Sequence, residues 1–298
     1  LLAGKRSGFY THDRYAEAVG LAERAMAIQS AAWAPLAMDF RQYRTPLAMM
    51  DRASIERDAE PARNPFSGLY TTIAERIREW GAGCIALTVA FPGQLLPSQI
   101  LGMKLRELMP EALLLGGGPA LSQFFFGMPT DAATEGLGPF DAVVAGDGDL
   151  AMPRIVDAFS RGDRARGFII EEQRADLTDL PCPDFEGLPL EEYLSPKLVL
   201  PYDLARGCYW GRCAFCHYGT VPAGTAPYRV RDPGVAAAHL VELKARYGAA
   251  VFYLSEDALA PVHARDFALA LRGKGVRWST DIRPEHGFTA SLARELAA

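Results

Sequence analysis

Short apolar runs alternate with helical stripes along this chain, in two separate stretches. In the first stretch, Cys84–Phe91, Ala112–Leu115 and Phe140–Val144 are short and apolar enough to be buried strands. Helical spacings run around them. Leu69, Ile73, Ile77 and Trp80 form one stripe, which ends at Gly81. Leu101, Leu105 and Leu108 form another, capped by Ser98 and stopped by Pro110. Met152, Ile155, Val156 and Phe159 form a third. Strand and helix in turn mean a parallel sheet with crossover helices, which places the chain in the α/β class. Its 298 residues suggest two domains at roughly 150 residues each.

The second stretch repeats the pattern. Lys197–Leu204, Val251–Leu254 and Val276–Ser279 read as strands. Asp232 and Pro233 start a helix that carries Leu240, Leu243 and Tyr247 and ends at Gly248. Val262–Arg272 is a second helix, and Thr289 caps a third. Between the stretches, residues 161–196 turn to charges and prolines (Pro181, Pro183, Pro189, Pro196), which reads as a linker. The expected division is therefore a domain over 1–160, a linker over 161–196 and a domain over 197–298. The first 60 or so residues carry one clear signal, a helix from Asp13 to Ala32 with Ala18, Leu21, Ala25 and Ile28 on one face. The first residue is Leu, and three strands do not complete a barrel. The expectation is a fragment of a longer protein, inactive alone.

Composition excludes several functions. With 31 basic against 36 acidic residues, the chain is not held on nucleic acid by bulk phosphate neutralisation. No apolar run reaches the roughly 18 residues of a spanning helix. Five cysteines, three of them within Cys208–Cys216, do not form an extracellular disulfide framework. They read as thiols kept reduced, so a cytoplasmic location is expected.

The stretch Cys208-Tyr-Trp-Gly-Arg-Cys213-Ala-Phe-Cys216 directly follows a strand. Three thiolates on one short loop suit a soft metal or an iron–sulfur cluster. A cubane held by three cysteines leaves one iron open to a substrate. Gly207 and Gly211 give the loop backbone freedom, and Arg206 and Arg212 offset negative charge. The alternatives are structural zinc, with His217 or Cys182 as a fourth ligand, and buried thiols that bind nothing.

A strand, three closely spaced cysteines with an aromatic before the last, then repeating helix and strand resembles the radical SAM superfamily. The usual first cysteine gap there is three residues; here it is four, Tyr209–Arg212. The first stretch resembles the cobalamin-binding domain that precedes the radical SAM barrel in one branch. Thr88–Phe91 with Gln94, Leu115–Pro119, Ala145–Asp149 and the linker run Leu180–Asp184 carry that likeness. No D-x-H-x-x-G motif supplies a histidine to cobalt, and His12 is the sole histidine before Cys208.

The resemblance implies a Rossmann-like parallel-sheet cobalamin-binding domain followed by the first part of a radical SAM (β/α) partial TIM barrel. It implies a [4Fe-4S] cluster on Cys208, Cys213 and Cys216. It implies S-adenosyl-L-methionine (SAM) contacts at Phe215, Glu256 and Arg283, and cobalamin contacts at Thr88, Gly117, Gly118, Gly146 and Asp147. Phe124–Phe126 could cover a corrin edge or simply pack in a core. The implied chemistry is methylation of an unactivated carbon or of phosphorus in a natural-product, peptide or lipid-like substrate. The electron donor would be a flavodoxin or ferredoxin, with no nucleic acid and no membrane span. A rearrangement or methylthiolation, and a regulatory cobalamin- or metal-binding module without catalysis, are the other readings.

Overall fold

The computed structural model describes residues 10–39, 43–45, 52–126, 138–171, 173–193, 195, 197–216 and 228–297. They form two compact units, one of Thr11–Gln173 and one from Arg174 onward.

The first unit opens with helix α1 (His12–Ala32), the short antiparallel pair β1 (Ala37–Met38) and β2 (Tyr43–Arg44), and helix α2 (Arg52–Ala59). Helix α3 (Ser67–Glu79) leads into β3 (Cys84–Thr88), then α4 (Leu95–Leu108), β4 (Leu113–Gly117) and α5 (Pro119–Phe126). Strand β5 (Ala142–Ala145), α6 (Gly148–Ser160) and β6 (Gly167–Ile170) complete the unit. The four later strands form one parallel sheet in the order β3-β4-β5-β6. Both faces are covered. Ile85, Leu114 and Val143 pack with Ala74 of α3 and Leu105 of α4. Leu113, Leu115 and Ala142 point the other way, onto Met152, Ile155 and Phe159 of α6. Strands buried on both faces need the continuous apolar runs seen here. This mixed α/β arrangement is compatible with a Rossmann-like fold.

Three local expectations fail. Strand β6 lies inside the segment expected as linker; Gly167–Ile170 pairs with Ala142–Ala145 and extends the sheet. Ser98 does not cap α4, because a 3₁₀ turn at Pro92–Gln94 starts the helix earlier and Ser98 Oγ donates to the Leu95 carbonyl inside it. Helix α1 buries none of its residues, and Leu21 and Ile28 of its apolar stripe are exposed.

The second unit carries β7 (Val199–Tyr202), β8 (Ala205–Arg206), β9 (Arg229–Val230), α7 (Pro233–Tyr247), β10 (Val251–Leu254), α8 (Pro261–Leu271), β11 (Arg277–Ser279) and α9 (Ala290–Leu296). Strands β7, β10 and β11 are parallel neighbours in chain order, with α7 and α8 between them. The expected caps are present: Asp232 Oδ1 accepts from the Val235 amide at 2.9 Å and Thr289 Oγ1 from the Leu292 amide at 3.2 Å. Gly248 ends α7 in the left-handed region at φ 70°.

This sheet is covered on one face. Leu200, Tyr202, Phe252 and Leu254 pack with Ala236, Leu240, Leu243 and Phe267 of the helices. Val199 and Tyr253, at alternate positions, are exposed. Among the described residues, no helix is long and apolar enough to cross a membrane.

Candidate functional site

The parallel sheet of the first unit gathers its strand ends on one edge. Thr88 stands opposite Gly117, and Gly117 opposite Val144, while Gly146 and Asp147 follow Ala145 directly. In open α/β sheets this carboxyl edge is where ligands bind. The five residues expected there thus lie along one edge. Gly118 has an internal reason to be glycine. Its φ is +98°, and a Cβ would stand 2.6 Å from the Val89 carbonyl oxygen. Gly117 is less constrained, since a Cβ there would meet the Val144 oxygen at an ordinary 3.5 Å. The side chains of Phe124–Phe126 lie outside the described residues.

In the second unit the cysteine loop leaves the ends of β7 and β8. Cys208, Cys213 and Cys216 form no disulfide, and each is half-buried. Gly207 and Gly211 adopt φ values of 85° and 55°, so the loop turns where only glycine turns without strain. Cys208 also forms a parallel bridge to Ala258, which ties the loop to the segment after β10. Among the described residues, no three His, Cys, Asp or Glu side chains converge on a point that could hold a single metal ion. A cubane poses a different demand, because each of its thiolates binds a different iron. The chemistry of the donor set, three cysteines on one loop with no disulfide among them, suits such a cluster.

The zinc alternative finds no support at Cys182. Its sulfur donates to the His239 carbonyl at 3.8 Å, and burial pushes the thiol up to about 11. It packs against the core of its unit, as a small apolar filler does. His217 lies outside the described residues.

Glu256 is 2% exposed. Its Oε1 accepts from the amides of Leu204 and Ala205 at 2.8 and 3.1 Å. Its Oε2 accepts from Thr280 Oγ1 at 3.1 Å. One carboxyl therefore ties together the segments that follow β7, β10 and β11. Burial raises its pKa to about 7, against the opposing pull of these hydrogen bonds. Both oxygens of the residue expected to face the SAM amino group thus have partners within the chain. Nearby, Asp203 accepts from Ser255 Oγ at 2.7 Å and pairs with Arg206 at 3.0 Å. Asp257 does not cap α8; Ala260 holds that position.

Arg283 also has internal partners. Its guanidinium lies 3.6 Å from the centre of the Trp210 ring and pairs with Glu285. Glu285 Oε1 accepts from Tyr209 Oη at 2.9 Å. The Tyr209 ring meets Tyr228 edge-on at 5.9 Å, and Tyr228 stacks on His263 with its hydroxyl 3.2 Å from Nδ1. Burial raises both tyrosines, Tyr228 to about 12. Phe215 differs from all of these: its side chain is 93% exposed. Tyr209, Trp210, Tyr228, His263 and Glu285 were not expected at the site. The signal that could have found the first two is the long cysteine gap, which carries two adjacent aromatic residues.

No protein-family model matches the chain. A stretch of 119 residues, 39% of the chain, is 29% identical to a protein of Synechocystis sp. described as an uncharacterized methyltransferase. The match covers 20% of that relative, so the chain spans about one-fifth of its length.

Proposed function

We propose that this chain is part of a cobalamin-dependent radical SAM enzyme, most simply a methyltransferase. The observation that carries the reading is three cysteines outside any disulfide on one loop, at the carboxyl end of a parallel sheet. The likeness to a protein described as a methyltransferase supports the reaction class. The division into a cobalamin-binding unit and the first part of a radical SAM barrel belongs to the same proposal. The one-sided sheet supports it, because a barrel strand covers its outer face with helices and turns its other face inward.

Cys208, Cys213 and Cys216 bind as thiolates, which coordination itself enforces. Bound there, a [4Fe-4S] cluster supplies the single electron for reductive cleavage of SAM. Phe215 offers an uncovered flat ring beside Cys216, suited to the adenine of SAM. Glu256 holds the wall of the site by tying three strand ends. Thr88, Gly117, Gly146 and Asp147 form the edge along which cobalamin would lie, carrying the methyl group. That edge provides backbone and small side chains and no histidine for cobalt.

The test is anaerobic reconstitution of the chain with iron and sulfide. The reading expects a brown protein at cubane stoichiometry and a SAM-dependent change in the electron paramagnetic resonance spectrum of the reduced cluster. A colourless protein, or iron uptake unchanged after Cys208, Cys213 and Cys216 are all replaced by Ala, ends it.

A further inference from the structure

The residue that makes the first cysteine gap long has a structural use. Tyr209 and Trp210 lie inside that gap, and both are fastened to one short segment beyond β11. Tyr209 Oη donates to Glu285 at 2.9 Å, and Arg283 lies over the Trp210 ring at 3.6 Å. Arg283 and Glu285 pair with each other, which closes the ring of contacts. Arg212, from the gap itself, also lies over the Trp210 ring, at 5.2 Å.

We propose that Arg283 and Glu285 form a clasp that positions the cysteine loop for its cluster; this rests on the iron–sulfur reading of Cys208, Cys213 and Cys216. The loop carries two glycines at positive φ, and glycine loses more backbone entropy on ordering than any other residue. Holding three thiolates in one constellation costs conformational entropy, and that cost falls when the loop is ordered beforehand. The clasp orders it at the gap between the first two ligands. A planar guanidinium both stacks on an indole and pairs with a carboxylate, which an ammonium cannot reproduce together. Arg283 and Glu285 are therefore positioning residues, acting through Trp210 and Tyr209.

The experiment uses the oxygen-free chain in two forms. In the metal-free form, alkylation of Cys208 and Cys213 by iodoacetamide is followed by peptide mass spectrometry. In the iron-loaded form, iron loss to an added chelator and the spectrum of the reduced cluster are followed. Arg283→Met is expected to speed iron loss about tenfold, broaden the spectrum and speed alkylation of both cysteines. Arg283→Lys keeps the charge without the stack and is expected to fall in between. Glu285→Gln is nearly isosteric and keeps an acceptor for Tyr209, so about a threefold effect is expected. Iron loss at the wild-type rate in both Arg283→Met and Glu285→Gln, with an unchanged spectrum, overturns the clasp and leaves the cluster reading intact. A wild-type chain that takes up no iron overturns both.

Discussion

Beyond β4, Gly118 packs its bare backbone against Val89, and no side chain takes part. Beyond β10, Glu256 reaches under two other strand ends and holds them through its carboxyl oxygens. The two units share strand–helix alternation and parallel pairing, yet they secure their carboxyl edges by different means. The two central strands of the four-stranded sheet are buried on both faces, and the side-chain ties at its carboxyl edge, Gln94 Oε1 to the Ala90 and Phe91 amides and Arg154 to Glu171, each hold a single strand end. The three-stranded sheet has helices on one face, and Val199 and Tyr253 stand exposed on the other. Its strand ends are tied to one another by side chains, through Glu256 and through Asp203 with Ser255, and Arg283 pairs with Glu285 beyond β11. Ties of this kind carry charge and hydrogen-bonding groups into the place where chemistry would occur. The same alternation can thus serve as a quiet platform or as a polar, adjustable site.

Several measurements break or sharpen this contrast. The largest effect is expected from Glu256→Ala, which orphans two buried amides. It should destabilise the second unit by about 3 kcal/mol and leave the first unit unchanged. Hydrogen exchange resolved by peptide separates the two; equal loss of protection in both units contradicts the contrast. Gly118→Ala is the mirror experiment. Strain at φ +98° and collision with Val89 should cost the first unit about 2 kcal/mol, with the second unit's exchange unaffected.

The third expectation concerns pH. Glu256 has a folded-state pKa of about 7, above its ordinary value of 4.5. Its raised pKa therefore contributes stability that is fully present below 4.5 and lost as pH rises through about 7. Denaturant unfolding of the second unit should weaken across that window. Glu256→Gln should flatten the slope, and an unaltered slope in that variant removes Glu256 as its source. The smallest effect is expected from Phe215→Ala. Because the ring is exposed, stability should change by less than about 0.5 kcal/mol. SAM affinity should fall, and unchanged affinity removes Phe215 from the proposed adenine contact.

Much of the scaffold was legible in the residues. Continuous apolar runs marked β4 and β5 because strands covered on both faces need nothing polar, and the apolar run of β3 marked their edge neighbour. Asp232 with Pro233, Gly248 and Thr289 marked helix ends because orphan backbone groups demand those residue types. Strand β6 was missed because Gly167–Ile170 sits among charges and prolines, and only the neighbouring β5 makes it a strand. The α1 stripe misled for the opposite reason: apolar spacing is local, whereas burial requires a partner surface. At the site, the residues placed three cysteines on one loop, while the partners of Glu256 and the ring under Arg283 lay beyond local reading.

The sequence by itself determined the α/β class, the alternation of strand and helix in each half, and three cysteines on one loop, because period and capping are written over a few neighbouring residues. The tertiary structure alone decided that Glu256 ties three strand ends and that Tyr209 and Trp210 meet Glu285 and Arg283. Those contacts join residues dozens of positions apart, and only parallel pairing of β7, β10 and β11 brings their loops to one edge.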